Sequence, residues 1–394
     1  MLTDIAKKIG LKEILILSIL VLGFYLCFVG GYGSDEDTLP MIYVFEARLA
    51  DGRFVTSRFT GYPIPEIGIG FLAYFLGSWA SNLATYLFFL IGVVLFYFSF
   101  SKKIDYENFK YYIILCLSSP VLFFDNLESI DYSWAFLFFA IGTFFLSRKI
   151  FELAILAFAF AVGSRMNFLI FCILVIFFFN YENKVPVKKK TILAFCTFII
   201  GGLFYLPIWY DNGFGLNWIT AARPLEQGFF GLIARFSYKT LLSIGLLQSI
   251  FIIYSLKKNL FSKKFYNNYK IFFILIASNL LLFLYIPAEL SYLQPALIIL
   301  YFVLSQQMSR KLIFILIFLN FLNWFVNFDI LKIQYKDNSR CGAKHAISAN
   351  LDLSIKIGSL DKFFSTRDMM NCWADDSLER GKRILEGKAT KIKD

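Results

Sequence analysis

An all-α polytopic membrane fold is predicted by three observations. The chain is 58% hydrophobic and only 17% charged, with a mean hydropathy of +0.64. It is divided into apolar runs of helical length, and its basic residues recur between alternate runs. Leu11 to Gly31 is long enough for one helix to cross a bilayer core and follows Lys7 and Lys8. It has no small-residue cleavage site and further runs follow, so it reads as a retained first helix and not as a signal peptide.

The later runs lie at 82–100, 111–124, 132–147, 150–163, 168–180, 191–210, 239–256, 270–287, 292–306 and 311–331. Together with the first they give about eleven spans. The run from Ile67 to Trp79 is too short to count, since about thirteen helical residues rise ~20 Å against a core of ~30 Å, and it reads as an interfacial helix. Charge bias supports that choice. Lys102 and Lys103, Arg148 and Lys149, Lys188 to Lys190, Lys257 and Lys258, and Arg310 with Lys311 then share the side of the amino terminus. The positive-inside rule makes that side cytoplasmic, with the carboxyl terminus extracytoplasmic, as for a multi-pass protein of the plasma (inner) membrane. The net charge of +11 reads as this orientation signal plus a basic tail, not as a nucleic-acid surface.

Two units follow: a transmembrane domain over 1–331, with a first outer loop at 31–81, and a polar tail over 332–394 that forms a small cap or an extended segment. In the first loop, Asp35, Glu36 and Asp37 stand together at the end of the first span. Carboxylates beside a bilayer are costly to desolvate and point to chemistry or to water access. Pro40 begins an amphipathic helix through Met41, Val44, Phe45 and Leu49 that stops at Asp51-Gly52. Gly61, Pro63 and Pro65 then break the helix before the interfacial one.

Further on, Ser118-Ser119-Pro120 is expected to kink the third span, which delivers Glu128 and Asp131 to the same face as the first loop. Arg165, within Ser164-Arg165-Met166-Asn167, interrupts two short apolar runs. It requires an anionic partner, either a substrate or a loop carboxylate. The loop from Asp211 to Tyr238 carries Arg223 and Arg235 among aromatic residues, and Glu289, Tyr292 and Gln294 lie in a tight hairpin that closes the rim of a cavity. Cys341 and Cys372 are the only cysteines beyond the apolar runs and are expected to pair in an oxidising compartment. The lone His345 joins no Cys/His cluster with metal-ligand spacing.

The first loop resembles that of the GT-C superfamily, polytopic glycosyltransferases that use polyprenyl-phosphate-linked sugars and include the protein mannosyltransferase and lipid A aminoarabinose transferase types. The resemblance rests on Asp35-Glu36-Asp37, then Ala47-Arg48-Leu49-Ala50-Asp51-Gly52-Arg53-Phe54, then Ser57-Arg58-Phe59-Thr60-Gly61-Tyr62-Pro63-Ile64-Pro65-Glu66. Thr60 stands where related sequences often have proline, and the spacing leaves either Asp35 or Asp37 as the equivalent acid. The resemblance implies an inverting hexosyl or pentosyl transfer from a polyprenyl-phosphate sugar to a glycan, glycolipid or protein hydroxyl on the outer face of the cell envelope, as in lipopolysaccharide modification. Asp35 or Asp37 would act as base beside Glu36. Glu128 and Asp131 would orient the acceptor or hold a divalent cation such as Mg or Mn. Arg58, Arg165 and Arg223 would hold the donor phosphate. A lipid-linked glycan flippase and a polysaccharide polymerase are the rival readings. The first lacks support because the ionisable groups gather on one face; the second usually places its main polar loop later in the chain.

Overall fold

The structure, a computed structural model, describes residues 10–33, 38–52, 56–57, 61–101, 105–179, 185–211, 228–260, 263–287, 289–337, 344–364, 367 and 371–372. Its helices are α1 (Leu11–Val29), α2 (Thr38–Asp51), α3 (Pro63–Leu76), α4 (Ser78–Phe100), α5 (Tyr106–Ser118), α6 (Pro120–Phe124), α7 (Tyr132–Ser147), α8 (Phe151–Ser164) and α9 (Phe168–Phe178). They continue as α10 (Val187–Leu203), α11 (Leu206–Asp211), α12 (Phe229–Ile244), α13 (Leu246–Leu260), α14 (Lys263–Asn268), α15 (Lys270–Tyr285), α16 (Gln294–Gln307) and α17 (Arg310–Phe325). Short 3₁₀ turns occupy Asp125–Leu127 and Leu290–Leu293, and an antiparallel pair, β1 (Val326–Asp337) and β2 (Lys344–Ile357), follows.

Each expected apolar run contains a helix, but the lengths do not establish eleven crossings. Among the described residues, α1 and α4 alone are long and apolar enough to cross a membrane singly, and two bent pairs would raise that to four. The packed interior is aromatic. Phe96 lies edge-on to Phe302 at 5.8 Å, and Phe272 meets Phe302 at 4.9 Å, joining α4, α15 and α16. Such pairs contribute about 0.5–1.5 kcal/mol each beyond burial. At the end opposite the first loop, Glu107 binds Lys12 and Lys110, so α1 and α5 are tied by charge where they begin.

The first loop forms the two helices anticipated from sequence. Pro40 lies in the first turn of α2, and α2 stops at Gly52, whose positive φ of 68° lets its N–H reach the Arg48 carbonyl at 2.9 Å. Met41, Val44 and Phe45 are buried, whereas Leu49 is exposed. The short run becomes α3, which packs on α2 and is separated from α4 only by Gly77.

The Ser-Ser-Pro break also forms as expected: α5 ends at Ser118 and Pro120 opens α6. The carbonyl of Ser118 accepts the Trp324 indole N–H at 2.8 Å, and Asn320 donates to the Ser118 hydroxyl at 3.1 Å. Trp324→Phe strips a buried acceptor of its donor, which is expected to cost about 1–3 kcal/mol in thermal unfolding, and the smaller phenyl ring leaves part of the buried indole's space unfilled, which adds to that loss.

Two expected spans change form. The 239–256 run is not one helix: it bends by 83° between α12 and α13, where Gly245 adopts a φ of 94° that favours glycine. The last run leaves helix at Phe325 and enters β1. The reason lies in its alternation, which has a period of two. Val326 and Phe328 face Ile357 and Ile355, and after a bulge between Asp329 and Leu331 the apolar positions resume at Leu331 and Ile333. The bulge absorbs the residue that breaks the pattern, so a run that is apolar in composition becomes a ribbon.

Candidate active site

The polar side chains converge at the end of the bundle where α1 finishes. Asp35, Glu36 and Asp37 lie outside the described residues, as do Arg58, Arg223 and Cys341. The chain that leads up to the acidic triplet, through Gly33, is described. Gly33, at φ 83°, stands so close to Glu128 that an added Cβ would meet its Cγ at 2.3 Å. Asn82 of α4 donates to the Gly31 carbonyl at 2.6 Å and accepts from Ser129 at 2.7 Å, and Ser129 shares a 2.5 Å bond with Ser81. The second acidic loop is therefore fixed against the chain that leads into the acidic triplet. Glu128 is buried there, beside the entry to Asp35–Asp37.

Arg165 lies at the junction of α8 and α9 and is 2% exposed. Its Nε pairs with Asp131 Oδ2 at 3.0 Å, and its Nη2 donates to the Tyr62 hydroxyl at 3.3 Å. Three rings surround the guanidinium: Tyr132 at 3.5 Å, Tyr292 at 4.7 Å and Tyr62 at 4.9 Å. Nη1 has no hydrogen-bond partner among the described residues. The arginine required an anion, and the structure supplies a loop carboxylate.

That pairing decides how the polar loops are joined. Tyr62 comes from the first loop, Asp131 and Tyr132 from the second, Arg165 from the helix break and Tyr292 from the late hairpin. The Tyr132 hydroxyl also reaches Glu289 at 3.5 Å, so two of the expected rim residues stand on the cage. Gln294, the third, is buried behind it and accepts from Asn126 at 3.3 Å. The sequence marked Asp131, Arg165, Glu289 and Tyr292 separately; Tyr62 stood only as one residue of the Ser57–Glu66 segment that carried the resemblance, and its role beside Arg165 was missed.

A second anchor fixes the first loop to its own helices. Glu66, fully buried in α3, pairs with Arg48 of α2 at 2.5 Å. It also accepts from the Ser57 hydroxyl at 2.6 Å and backbone N–H at 2.8 Å. Burial pulls the Arg48 guanidinium below its ordinary value while Glu66 opposes that pull. Glu66→Gln keeps the shape and removes the counter-charge. It is expected to cost about 3 kcal/mol, read as a lowered unfolding temperature, with Glu66→Asp intermediate.

Among the described residues no three carboxylate, histidine or cysteine side chains gather as a metal site, and Asp35, Glu36 and Asp37 lie outside them. Cys27, Cys116 and Cys172 are buried thiols, and no described pair of cysteines stands at bonding distance. The expected Cys341–Cys372 pair involves a residue outside the described set.

No model of a known protein family and no curated protein matches the chain. Two crystal structures match it in fold, both of ArnT from Cupriavidus metallidurans. The one bound to undecaprenyl phosphate gives a TM-score of 0.55 at 12% identity. The apo form gives 0.53 at 13%. Each match covers 76% of this chain and 60% of the ArnT chain, so the shared architecture leaves a large part of ArnT without a counterpart here. In architecture, then, the chain shares the fold of ArnT.

Proposed function

We propose that the chain is a membrane glycosyltransferase of GT-C type, moving a sugar from a polyprenyl-phosphate carrier to an acceptor hydroxyl on the outer face of the plasma membrane. The observation that carries this reading is the meeting of the first loop, the Asp131–Arg165 cage and the late hairpin at one end of an ArnT-like bundle. The ArnT structure with undecaprenyl phosphate supports a lipid-phosphate donor for the same fold.

In this reading Asp35 or Asp37 takes the proton of the acceptor hydroxyl. The acceptor oxygen attacks the anomeric carbon from the face opposite the carrier, the carbon–oxygen bond to phosphate breaks, and the phosphate leaves with the electron pair. The sugar is therefore inverted. Glu36 and Glu128, beside the acids, orient the acceptor or complete an oxygen-ligand cation site. Asp131 holds Arg165, and Arg165 fixes the loops around the reacting centre. Arg58 and Arg223, with the field of Arg165, offset the charge that develops on the leaving phosphate.

The test is turnover by the purified protein in nanodiscs supplied with labelled polyprenyl-phosphate sugars and a mixture of cell-envelope acceptors. Sugar transfer with equimolar release of carrier phosphate is expected. No turnover with any donor, together with translocation of a lipid-linked glycan in vesicles, would replace the transferase with a flippase.

A further inference from the structure

The polar tail, which reads from sequence as a unit of its own, returns after β2 to the root of the acidic loop. We infer that residues 358–371 form a strap belonging to the catalytic frame, in which Asn371 is a positioning residue for Asp35, Glu36 and Asp37. The inference rests on the transferase reading proposed above and adds to it a residue more than 300 positions from the first loop, since Asn371 and Tyr32 are separated by 339.

Three tail residues meet consecutive residues at the end of α1. The strap begins where the Gly358 N–H donates to the Phe325 carbonyl at 3.1 Å. Phe363, 1% exposed, packs on Phe124 with ring centroids 5.7 Å apart and lies so close to Gly30 that an added Cβ would meet its Cζ at 2.7 Å. Arg367 Nη1 donates to the Val29 carbonyl at 3.4 Å, where the carbonyls ending a helix lack partners of their own. Asn371 Oδ1 accepts from the Tyr32 N–H at 3.2 Å. Positions 363, 367 and 371 recur at the spacing of one helical face, so a single face of the strap is turned along residues 29–32.

The Asn371 contact differs in kind from the other two. The Gly31 carbonyl and the Tyr32 N–H belong to one peptide group, and Asn82 donates to that carbonyl at 2.6 Å. The peptide plane is therefore gripped at both edges, by α4 on one side and by the tail on the other. Gly31 makes this possible: its φ is 59°, and an added Cβ would meet Asn371 Oδ1 at 2.3 Å. Asn82 also accepts from Ser129, so one peptide joins the first loop, the second acidic loop and the tail. Tyr32 itself is buried with Ile42 of α2 and Ala73 of α3, which sets the way into the acidic triplet against the helix that follows it. Asp35 comes three residues after Tyr32.

Burial separates positioning from packing along the strap. Phe363 fills the core between α1, α6 and α17, so its loss opens a cavity. Asn371 is half-buried, and shortening it opens none. What shortening removes is one side of the grip on the Gly31–Tyr32 peptide, which leaves the approach to the acids free to swing. A displacement of about 1 Å at a reacting group is enough to lower a rate by about 10²-fold.

Wild type, Asn371→Ala, Asn371→Asp and Phe363→Ala, each as the full chain in nanodiscs, test this. Three quantities are read: kcat and KM with polyprenyl-phosphate sugars, the unfolding temperature, and amide hydrogen exchange of the peptide spanning residues 30–38. Asn371→Ala is expected to speed exchange in that peptide and to lower kcat by about 10–100-fold, with KM held within about twofold. Its unfolding temperature should stay within about 2 °C of wild type, because one half-exposed hydrogen bond is lost and no cavity is made. Asn371→Asp keeps an oxygen acceptor for the Tyr32 N–H, so it should restore the slow exchange and most of kcat. Phe363→Ala should lower the unfolding temperature. If Asn371→Ala speeds exchange and kcat does not fall, the tail does not position the acids and the inference is wrong, while the transferase reading stands. A joint fall of kcat and unfolding temperature in Asn371→Ala, matching Phe363→Ala, would make the contact one of packing and also overturn it. If wild type transfers no sugar, the transferase reading fails and takes the role of Asn371 with it.

Discussion

Arg165→Met is expected to destabilise the protein by about 3–5 kcal/mol, because it leaves the Asp131 carboxylate buried without its cation. Asp131→Leu should cost a similar amount from the opposite side, moderated by the three tyrosine faces that still attract the guanidinium. The double variant Arg165→Met, Asp131→Leu should recover most of the stability, since an apolar pair of similar volume avoids the desolvation that the ion pair incurs. It should not recover function. Tyr62 would lose its hydrogen bond to Arg165, and Tyr132 and Tyr292 would lose the cation they enclose, so the first loop, second loop and hairpin would no longer be held in one geometry. Thermal unfolding of the four proteins in a double-mutant cycle, alongside turnover, reads both quantities. Additive losses in stability would mean that the pair is not the joint described here.

The second large effect concerns the acids of the first loop. A general base contributes about 10²–10⁴-fold to rate, so asparagine at whichever of Asp35 and Asp37 accepts the proton should lower kcat by that factor. Donor affinity should hold within a few-fold, because the amide retains size and hydrogen bonding while the carrier is held elsewhere. The other position should show a smaller loss. Measuring kcat and KM for each single variant separates the base from its neighbour. Full activity in both variants would remove these carboxylates from the mechanism.

Much of this architecture is legible in the chain because membrane helices and their breaks have strong local causes. Pro40, Gly52 and Ser118-Ser119-Pro120 each act on the backbone within one turn, and the boundaries they imply are present in the structure, whereas Pro63 and Pro65, expected to break the chain before the interfacial helix, instead open it, since α3 starts at Pro63. Arg165 was legible as a charge in need of a partner. Which carboxylate answered it was not, since Asp131 is 34 residues away and several outer acids were equally eligible. The cage was illegible for the same reason: Tyr62, Tyr132 and Tyr292 meet only through the packing of separate elements, and although Tyr292 was expected at the rim, nothing in the sequence joined it to the other two.

The departures share one cause, which is that composition conceals period. Residues 311–331 are apolar throughout, so their count suggests a helix, yet the alternation from Val326 onward is that of a strand. The 239–256 run also hides a change of type. Its start lies inside α12, where Arg235, Ser237, Lys239 and Thr240 interrupt the apolar residues before Gly245 turns the chain. Arg235 lies within that helix but reads from sequence as part of the 211–238 loop, because a hydropathy window divides the helix between a loop and a span.

The central claim is that a lipid carrier brings its phosphate to the end of the bundle where the first loop, the Asp131–Arg165 cage and the late hairpin meet. Photo-crosslinking tests it most directly, using a polyprenyl phosphate with a diazirine in its first isoprenoid unit and peptide mapping of the labelled protein in nanodiscs. Label competed by unlabelled polyprenyl phosphate is expected on residues 61–66, 128–132 and 285–294, the segments that meet at the Arg165 cage. Label confined to the opposite end, around Lys12, Glu107 and Lys110, would contradict it.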